Sequence, residues 1–335
     1  MSAAKPKVLF IGTGGTISAL SSVGPFDIQD YSARGRFMQA EEILDHWPML
    51  RDLAEVVPIR YRNLPSTALG PAEWLELLAL CHDSYARHPD AAGIVIGHGT
   101  ATLEETAYFL SLTHRLPIGL VVVGAQRPSS GLSSDAGMNL ANAIRVAADP
   151  RARGLGALVV MNDEINAARE VTKTSTSRLQ TFRSPDVGVL GHADGDAIAW
   201  YRRPLRRMAP DTEFDLSGIR ALPRVDVMVS YAGSDGAAAA AFADAGAQGI
   251  VIGAFAPGFL SPAEAEALAR VRERGVVVVV SSRAGSGRVF ATARKRALGF
   301  IDADNLTPQK ARILLMLALT RTRDPAEIAR IFTEY

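Results

Sequence analysis

Short runs of apolar, mostly β-branched residues recur along the chain. VLFIG, AGIVIGHG, GLVVVGAQ and GALVVMND fall in the first half, and VDVMVSYA, GIVIGAF and VVVVVSS in the second. Amphipathic stretches of helix length lie between them, among them AEWLELLALCHDSYARH, and the alanine-rich GAAAAAFADAGAQG also reads as a helix. Continuous apolar strands alternating with such stretches specify parallel sheets covered on both faces, so the expected class is α/β. Several of the runs end in a polar turn: TGGT, HGTA, AQRPSSG, NDE, YAGSDG and AFAPG. Open parallel sheets bind ligands beyond the carboxyl ends of their strands, and these turns are where chemistry is to be sought.

The alternation lapses over HADGDAIAWYRRPLRRMAPDTEFDLSGIRALPRV and then restarts. A chain of 335 residues exceeds the size at which single cores stop growing. The expectation is therefore a larger N-terminal domain over 1–205, a linker over 206–222 and a smaller C-terminal α/β domain over 223–335.

Charge narrows the function. Basic residues number 36 and acidic residues 35, so no overall field attracts nucleic acid or an anionic membrane, and neither is expected as a partner. RRPLRR reads as solvated surface or an interdomain strut. No apolar run approaches bilayer length. The opening MSAAKPKVLFIGTGG lacks the apolar stretch and cleavage pattern of an export signal, which favours a cytoplasmic chain. Cys81 is the only cysteine, which excludes an intrachain disulfide and a multi-thiolate metal site and suits a buried small apolar residue.

Three loops offer chemistry. In VLFIGTGGTISAL (8–20), Gly12, Gly14 and Gly15 bring main-chain N–H groups close to a helix start, a geometry that serves either a phosphate cradle or a threonine nucleophile. The dinucleotide fingerprint is incomplete, because Ile17 stands where its third glycine belongs. Threonines on either side of a Gly-Gly pair suit acyl transfer better, although a threonine helix cap would look the same. In GIVIGHGTATLEETAYFL (93–110), Thr100 follows His98 and Gly99 at a strand end, and His98 itself reads as a hydrogen-bonded structural residue. In NDEINAAREVTKTSTSRLQTFRSP (162–185), Lys173 lies between Arg169 and Arg178, whose charge would lower its pKa and let it take a proton from a hydroxyl such as Thr100. An ordinary surface lysine is the plainer alternative.

Together TGGTI (13–17), HGT with LEETAYFL (98–110), GAQRPSSGLSSDAGMNL (124–140), MNDEI with REVTKTSTSRLQTFRSP (161–185) and NLTPQKARILLMLALT (305–320) resemble the bacterial L-asparaginase family, in order and over nearly the whole chain. The resemblance implies a two-domain amidohydrolase without metal or organic cofactor. It also implies a homotetramer, a dimer of dimers with active sites between paired subunits. Thr16 matches the family's first catalytic threonine, Tyr31 in IQDYSARGRF its lid tyrosine, and Thr100 and Lys173 its second threonine and lysine. Ser66 in NLPSTALG matches the serine that grips the substrate carboxylate, and Gly15, Thr67, Gly99 and Ala101 fall at substrate-binding positions.

The chain departs from that pattern at the groups that meet an α-ammonium. Ala101 replaces the aspartate after the second threonine, and Thr67 replaces a glutamine. GAFAPGF (253–259) lacks the family's asparagines and RVFATARKRALG its glutamate. A buried ammonium left without partners costs roughly 2–5 kcal/mol. The expected substrate is a related amide, imide, lactam or ester of a small acid lacking that group, with Arg288 and Arg294 suited to an anionic part. An asparaginase inactivated by an Asp-to-Ala change at 101, a non-catalytic ligand-binding homologue and a nucleotide-dependent oxidoreductase are the competing readings.

Overall fold

The computed structural model describes residues 4–335 and divides into two compact units, one running to Thr212 and the other spanning Glu213–Tyr335. The first unit is built on an eight-stranded sheet. From one edge its order is Ile198–Trp200, Gly191–Ala193, Glu164–Ala167, Ala157–Met161, Gly119–Val123, Gly93–Gly97, Lys7–Gly12 and Glu55–Ile59. The last five are mutually parallel, with Val8 opposite Gly93 and Val56, and Ile94 opposite Leu120. Gly93–Gly97, Gly119–Val123 and Ala157–Met161 are buried at every position, as unbroken apolar runs require. Glu55–Ile59 is only partly buried and carries Pro58, which an edge strand tolerates because one side of its backbone needs no ladder partner. The helix Ala136–Ala148 packs Leu140, Ala143, Ile144 and Ala147 into the cluster that holds Val8, Phe10, Val95 and Val121.

Two features differ from the sequence expectation. NDE is not an open strand-end loop but a tight hairpin: Asn162 and Asp163 take φ of 53° and 62°, the backbone of a two-residue turn that returns the chain antiparallel as Glu164–Ala167. The lapse beginning at residue 192 also contains sheet, since Gly191–Ala193 and Ile198–Trp200 pair antiparallel and complete the sheet edge. Three-residue strands with partly exposed side chains carry too little apolar periodicity to stand out.

The second unit is a four-stranded parallel sheet in chain order, Val225–Val229, Gly249–Ala254, Val277–Ser282 and Ile301–Asp302. Its helices include Ala237–Asp244, Pro262–Glu273 and Pro308–Leu319, and the alanine-rich tract supplies the first of these. The α/β class is observed in both units. Among the described residues no helix is long and apolar enough to cross a membrane. Cys81 is buried in the helix Pro71–Arg87, and burial pushes its thiol up to about 12, the inert small apolar role expected of it.

Strand order in the large sheet reverses at one place. From Lys7–Gly12 the chain moves to Glu55–Ile59 on one side, then crosses back to Gly93–Gly97 on the other. The loops after Lys7–Gly12 and Gly93–Gly97 consequently leave the sheet in opposite directions and open a crevice between them. Thr16 and Thr100 lie on those two loops.

Two fully buried histidines tie the stability of this unit to pH. Burial pushes His98 and His114 down to about 4, each with a backbone carbonyl working weakly the other way. The unfolded chain binds those protons near pH 6.5 and the folded chain does not. Their contribution is thus complete above about pH 6.5, falls between there and about pH 4, and is flat below. Over that window each histidine should cost about 1.4 kcal/mol per pH unit. Urea denaturation at a series of pH values should show His114→Met flattening the acid slope by close to one proton.

Candidate functional site

The crevice is built from backbone before any side chain enters it. After Gly12 the chain turns through Gly14 and Gly15, with φ of 105° and 81°, into the single 3-10 turn Thr16–Ser18. Thr13 is fully buried and ties the turn down. Its N–H and its Oγ1 both donate to the Gly97 carbonyl, at 2.9 and 3.0 Å, and its own carbonyl accepts the Leu64 N–H at 2.9 Å. A Cβ on Gly15 would stand 2.2 Å from Gly99 Cα, and one on Gly99 would stand 2.8 Å from Ser66 Oγ. The loops carrying Thr16, Ser66 and Thr100 meet at a separation that only glycines at 15 and 99 permit.

Thr16 is half-buried, and its Oγ1 lies 2.6 Å from Tyr31 Oη. Tyr31 opens the one-turn helix Tyr31–Arg34 inside a segment strapped over the loop. Ser21 Oγ donates to Asp27 Oδ2 at 2.5 Å, Ser22 Oγ donates to the Arg34 carbonyl, and the Ser21 N–H donates to Ser130 Oγ at 2.8 Å. From below, Ser129 Oγ donates to the Ile17 carbonyl at 2.6 Å.

On the second loop Thr100 is buried and its Oγ1 accepts from Lys173 Nζ at 2.8 Å. Lys173 reaches it from the two-residue ladder that pairs Thr172 and Lys173 with Arg183 and Phe182. Burial holds the Lys173 ammonium below its ordinary pKa, and the charge of Glu104 works against that shift. The direction agrees with expectation but the cause does not: desolvation lowers it, rather than Arg169 and Arg178. His98 is structural, its Nδ1 donating to the Gly99 carbonyl at 2.7 Å with the ring neutral and fully buried.

Ser66 is buried at the start of the turn Ser66–Ala68, and its carbonyl accepts Thr102 Oγ1 at 2.7 Å. Thr67 and Ala101 follow Ser66 and Thr100 directly and both are exposed. Thr16, Tyr31, Gly15, Ser66, Gly99, Thr100 and Lys173 are thus joined by contacts within the first unit. Arg288 and Arg294 belong to the second unit, where Arg288 pairs with Asp304 at 3.7 Å and lies over the Phe290 ring. Glu104, Thr102 and Ser129 were not anticipated. Of these only Glu104 had a legible signal, its place four residues after Thr100 at a helix start. Among the described residues no three His, Cys, Asp or Glu side chains are grouped to hold a metal.

Comparison with known proteins fits this arrangement. Residues 7–206 match the family profile "Asparaginase, N-terminal", and residues 224–332 match "Glutaminase/Asparaginase C-terminal domain". L-asparaginase 2 of Escherichia coli (strain K12) is 38% identical over 334 residues, covering 99% of this chain and 94% of that protein. Glutaminase-asparaginase of Pseudomonas fluorescens biotype A is 36% identical, covering 98% of this chain and 90% of that protein. The crystal structure of the "Probable Cytoplasmic L-asparaginase" from Campylobacter jejuni superposes with a TM-score of 0.89 at 36% identity, over 99% of this chain and 100% of that one.

The glycine contact is open to direct test. Gly15→Ala places a methyl group inside Gly99 and an L-residue at positive φ, which together should cost roughly 2–4 kcal/mol. Gly188→Ala, at a similar φ of 76° but with nothing within 4 Å, should cost only the backbone part, about 1–2 kcal/mol. Chemical denaturation of the two variants measures the difference, which is the energy of the close approach.

Proposed function

The chain belongs to the bacterial asparaginase family, and from that membership we propose that it is an amidohydrolase working through a threonyl ester formed on Thr16. The observation that carries this reading is the pair of hydroxyl contacts on touching loops, Thr16 Oγ1 to Tyr31 Oη at 2.6 Å and Lys173 Nζ to Thr100 Oγ1 at 2.8 Å. Thr16 Oγ1 attacks the amide carbon as its proton passes to Tyr31 Oη and the Tyr31 proton passes on towards the leaving nitrogen, so the phenol ends the step neutral. Backbone N–H groups near Gly99 and Thr100, just ahead of the positive end of the helix Leu103–Thr113, stabilise the oxyanion. The C–N bond breaks and the nitrogen leaves as ammonia with the relayed proton. Water then adds to the ester, with the Thr100 and Lys173 pair removing its proton, and free acid and Thr16 are released. A lysine lowered by burial is more readily neutral, and so able to accept that proton, than a solvated one.

The substrate in this reading is a small acid amide without an α-ammonium. Ala101 and Thr67 bring no carboxylate and no carboxamide to the crevice mouth, so a positive amine finds no partner from them. Relatives named asparaginase and glutaminase-asparaginase support the competing reading, in which asparagine is the ligand and Ala101 marks lost turnover. No cofactor enters either scheme. The reading extends to a homotetramer built as a dimer of dimers. It also places the chain in the cytoplasm, supported by the description of the Campylobacter jejuni neighbour.

Intact-mass spectrometry of the protein quenched with succinamate, L-asparagine or L-glutamine tests the scheme. An acyl adduct on Thr16 with succinamate, absent in Thr16→Ala, is expected, with steady-state turnover favouring succinamate over asparagine. Lys173→Met should lower that turnover by about 10²–10⁴-fold. Efficient asparagine turnover by the unmodified chain would overturn the substrate assignment. Large recovery of asparaginase activity in Ala101→Asp would favour the competing reading.

A further inference from the structure

Ala101 brings no carboxylate to the loop that carries Thr100, but Lys173 is not left without one nearby. Glu104 lies in the first turn of the helix Leu103–Thr113 and is buried, while Glu105 beside it is only half-buried. Its helix neighbours Leu103, Ala107 and Tyr108 are buried as well. A carboxylate in such surroundings is costly unless its charge is engaged. Its Oε1 accepts the main-chain N–H of Lys173 at 3.4 Å, and its negative charge favours the lysine's ammonium form.

We propose that Glu104 is a positioning residue for Lys173, holding its main chain and supplying from the helix the negative charge that position 101 does not. The proposal rests on the reading of Lys173 as the proton carrier of the site. Three elements face Lys173: the Thr100 hydroxyl from the loop after Gly93–Gly97, Glu104 from the helix, and Phe182 across the two-residue ladder. Arg169 and Arg178 lie in the same segment of chain, before and after it. Of these charged groups Glu104 is the one that opposes the effect of burial. It fixes the lysine from the backbone side, leaving Nζ directed at Thr100. Glu104 therefore balances two demands, enough negative charge to keep the lysine oriented and not so much that it holds the proton permanently.

The chain has five lysines, Lys5, Lys7, Lys173, Lys295 and Lys310, so each can be followed separately. Reductive methylation with ¹³C-formaldehyde labels the accessible lysines for NMR, and the signal missing in Lys173→Arg is that of Lys173. Titration of the Lys173 signal in Glu104→Gln should shift its midpoint to lower pH, while Glu105→Gln leaves it unchanged. Ala101→Asp combined with Glu104→Gln should return it towards the wild-type position. Glu104→Asp, which draws the charge back by one methylene, carries the test if the glutamine variant does not fold, with a smaller shift of the same sign. An unchanged or raised midpoint in these variants, or an equal shift in Glu105→Gln, overturns the proposal. The titration needs no turnover, so a shift without any acyl adduct on Thr16 would count against the amidohydrolase reading and leave the role of Glu104 standing.

Discussion

Everything at this site depends on two stretches of backbone touching where no side chain stands between them. Gly15 and Gly99 follow adjacent parallel strands that diverge at the reversal of strand order, and their missing side chains let the two loops close to contact. Thr16 and Thr100 are the residues that come immediately after these glycines. The hydroxyls are therefore placed by chain geometry rather than by side-chain packing. Thr13 adds the restraint that makes the contact permanent, bonding one loop to the end of the neighbouring strand through both its N–H and its hydroxyl. A site anchored to sheet ends in this way is more precise than one resting on loops alone.

The electrostatics follow from that closeness. Bringing Lys173 onto Thr100 takes its ammonium partly out of water, and the desolvation alone lowers its pKa. No neighbouring cation is needed, which is why reasoning from Arg169 and Arg178 reached the right direction by the wrong route. Charge density along a sequence does not reveal which residues are buried. Glu104 illustrates the same point from the other side, since a glutamate in an amphipathic helix ordinarily faces solvent, and here it is covered.

The seven apolar runs picked out in the sequence are all strands of the two parallel arrays, whereas the partly buried parallel edge strand Glu55–Ile59 and the two-residue Ile301–Asp302 were not legible. Nor was the antiparallel edge of the large sheet. Gly191–Ala193 and Ile198–Trp200 are too short and too exposed to show a period, and they lie in a stretch rich in aspartate and arginine. Thr16, Ser66, Thr100 and Lys173 were singled out as candidates through motif resemblance, and of these Thr16 and Thr100 also carry the signal of a hydroxyl directly after a glycine. Thr102 and Ser129 escaped because each acts on a backbone carbonyl distant in sequence, Thr102 on Ser66 and Ser129 on Ile17. Such bonds leave no local pattern.

Packing constrains the positions next to Thr16 and Thr100 unequally. Gly15 is locked against the backbone of Gly99, and Gly99 lies against the Ser66 side chain, so a side chain added at either glycine must displace its neighbours. Ala101 and Thr67, one residue along from Thr100 and Ser66, are exposed, so the fold itself places no packing demand on what stands there. Substitution at either position is expected to leave the hydroxyl contacts of Thr16 and Thr100 intact. A carboxylate introduced at 101 would on this argument meet no packing barrier, while the charge that the structure does bring to bear on Lys173 is that of Glu104.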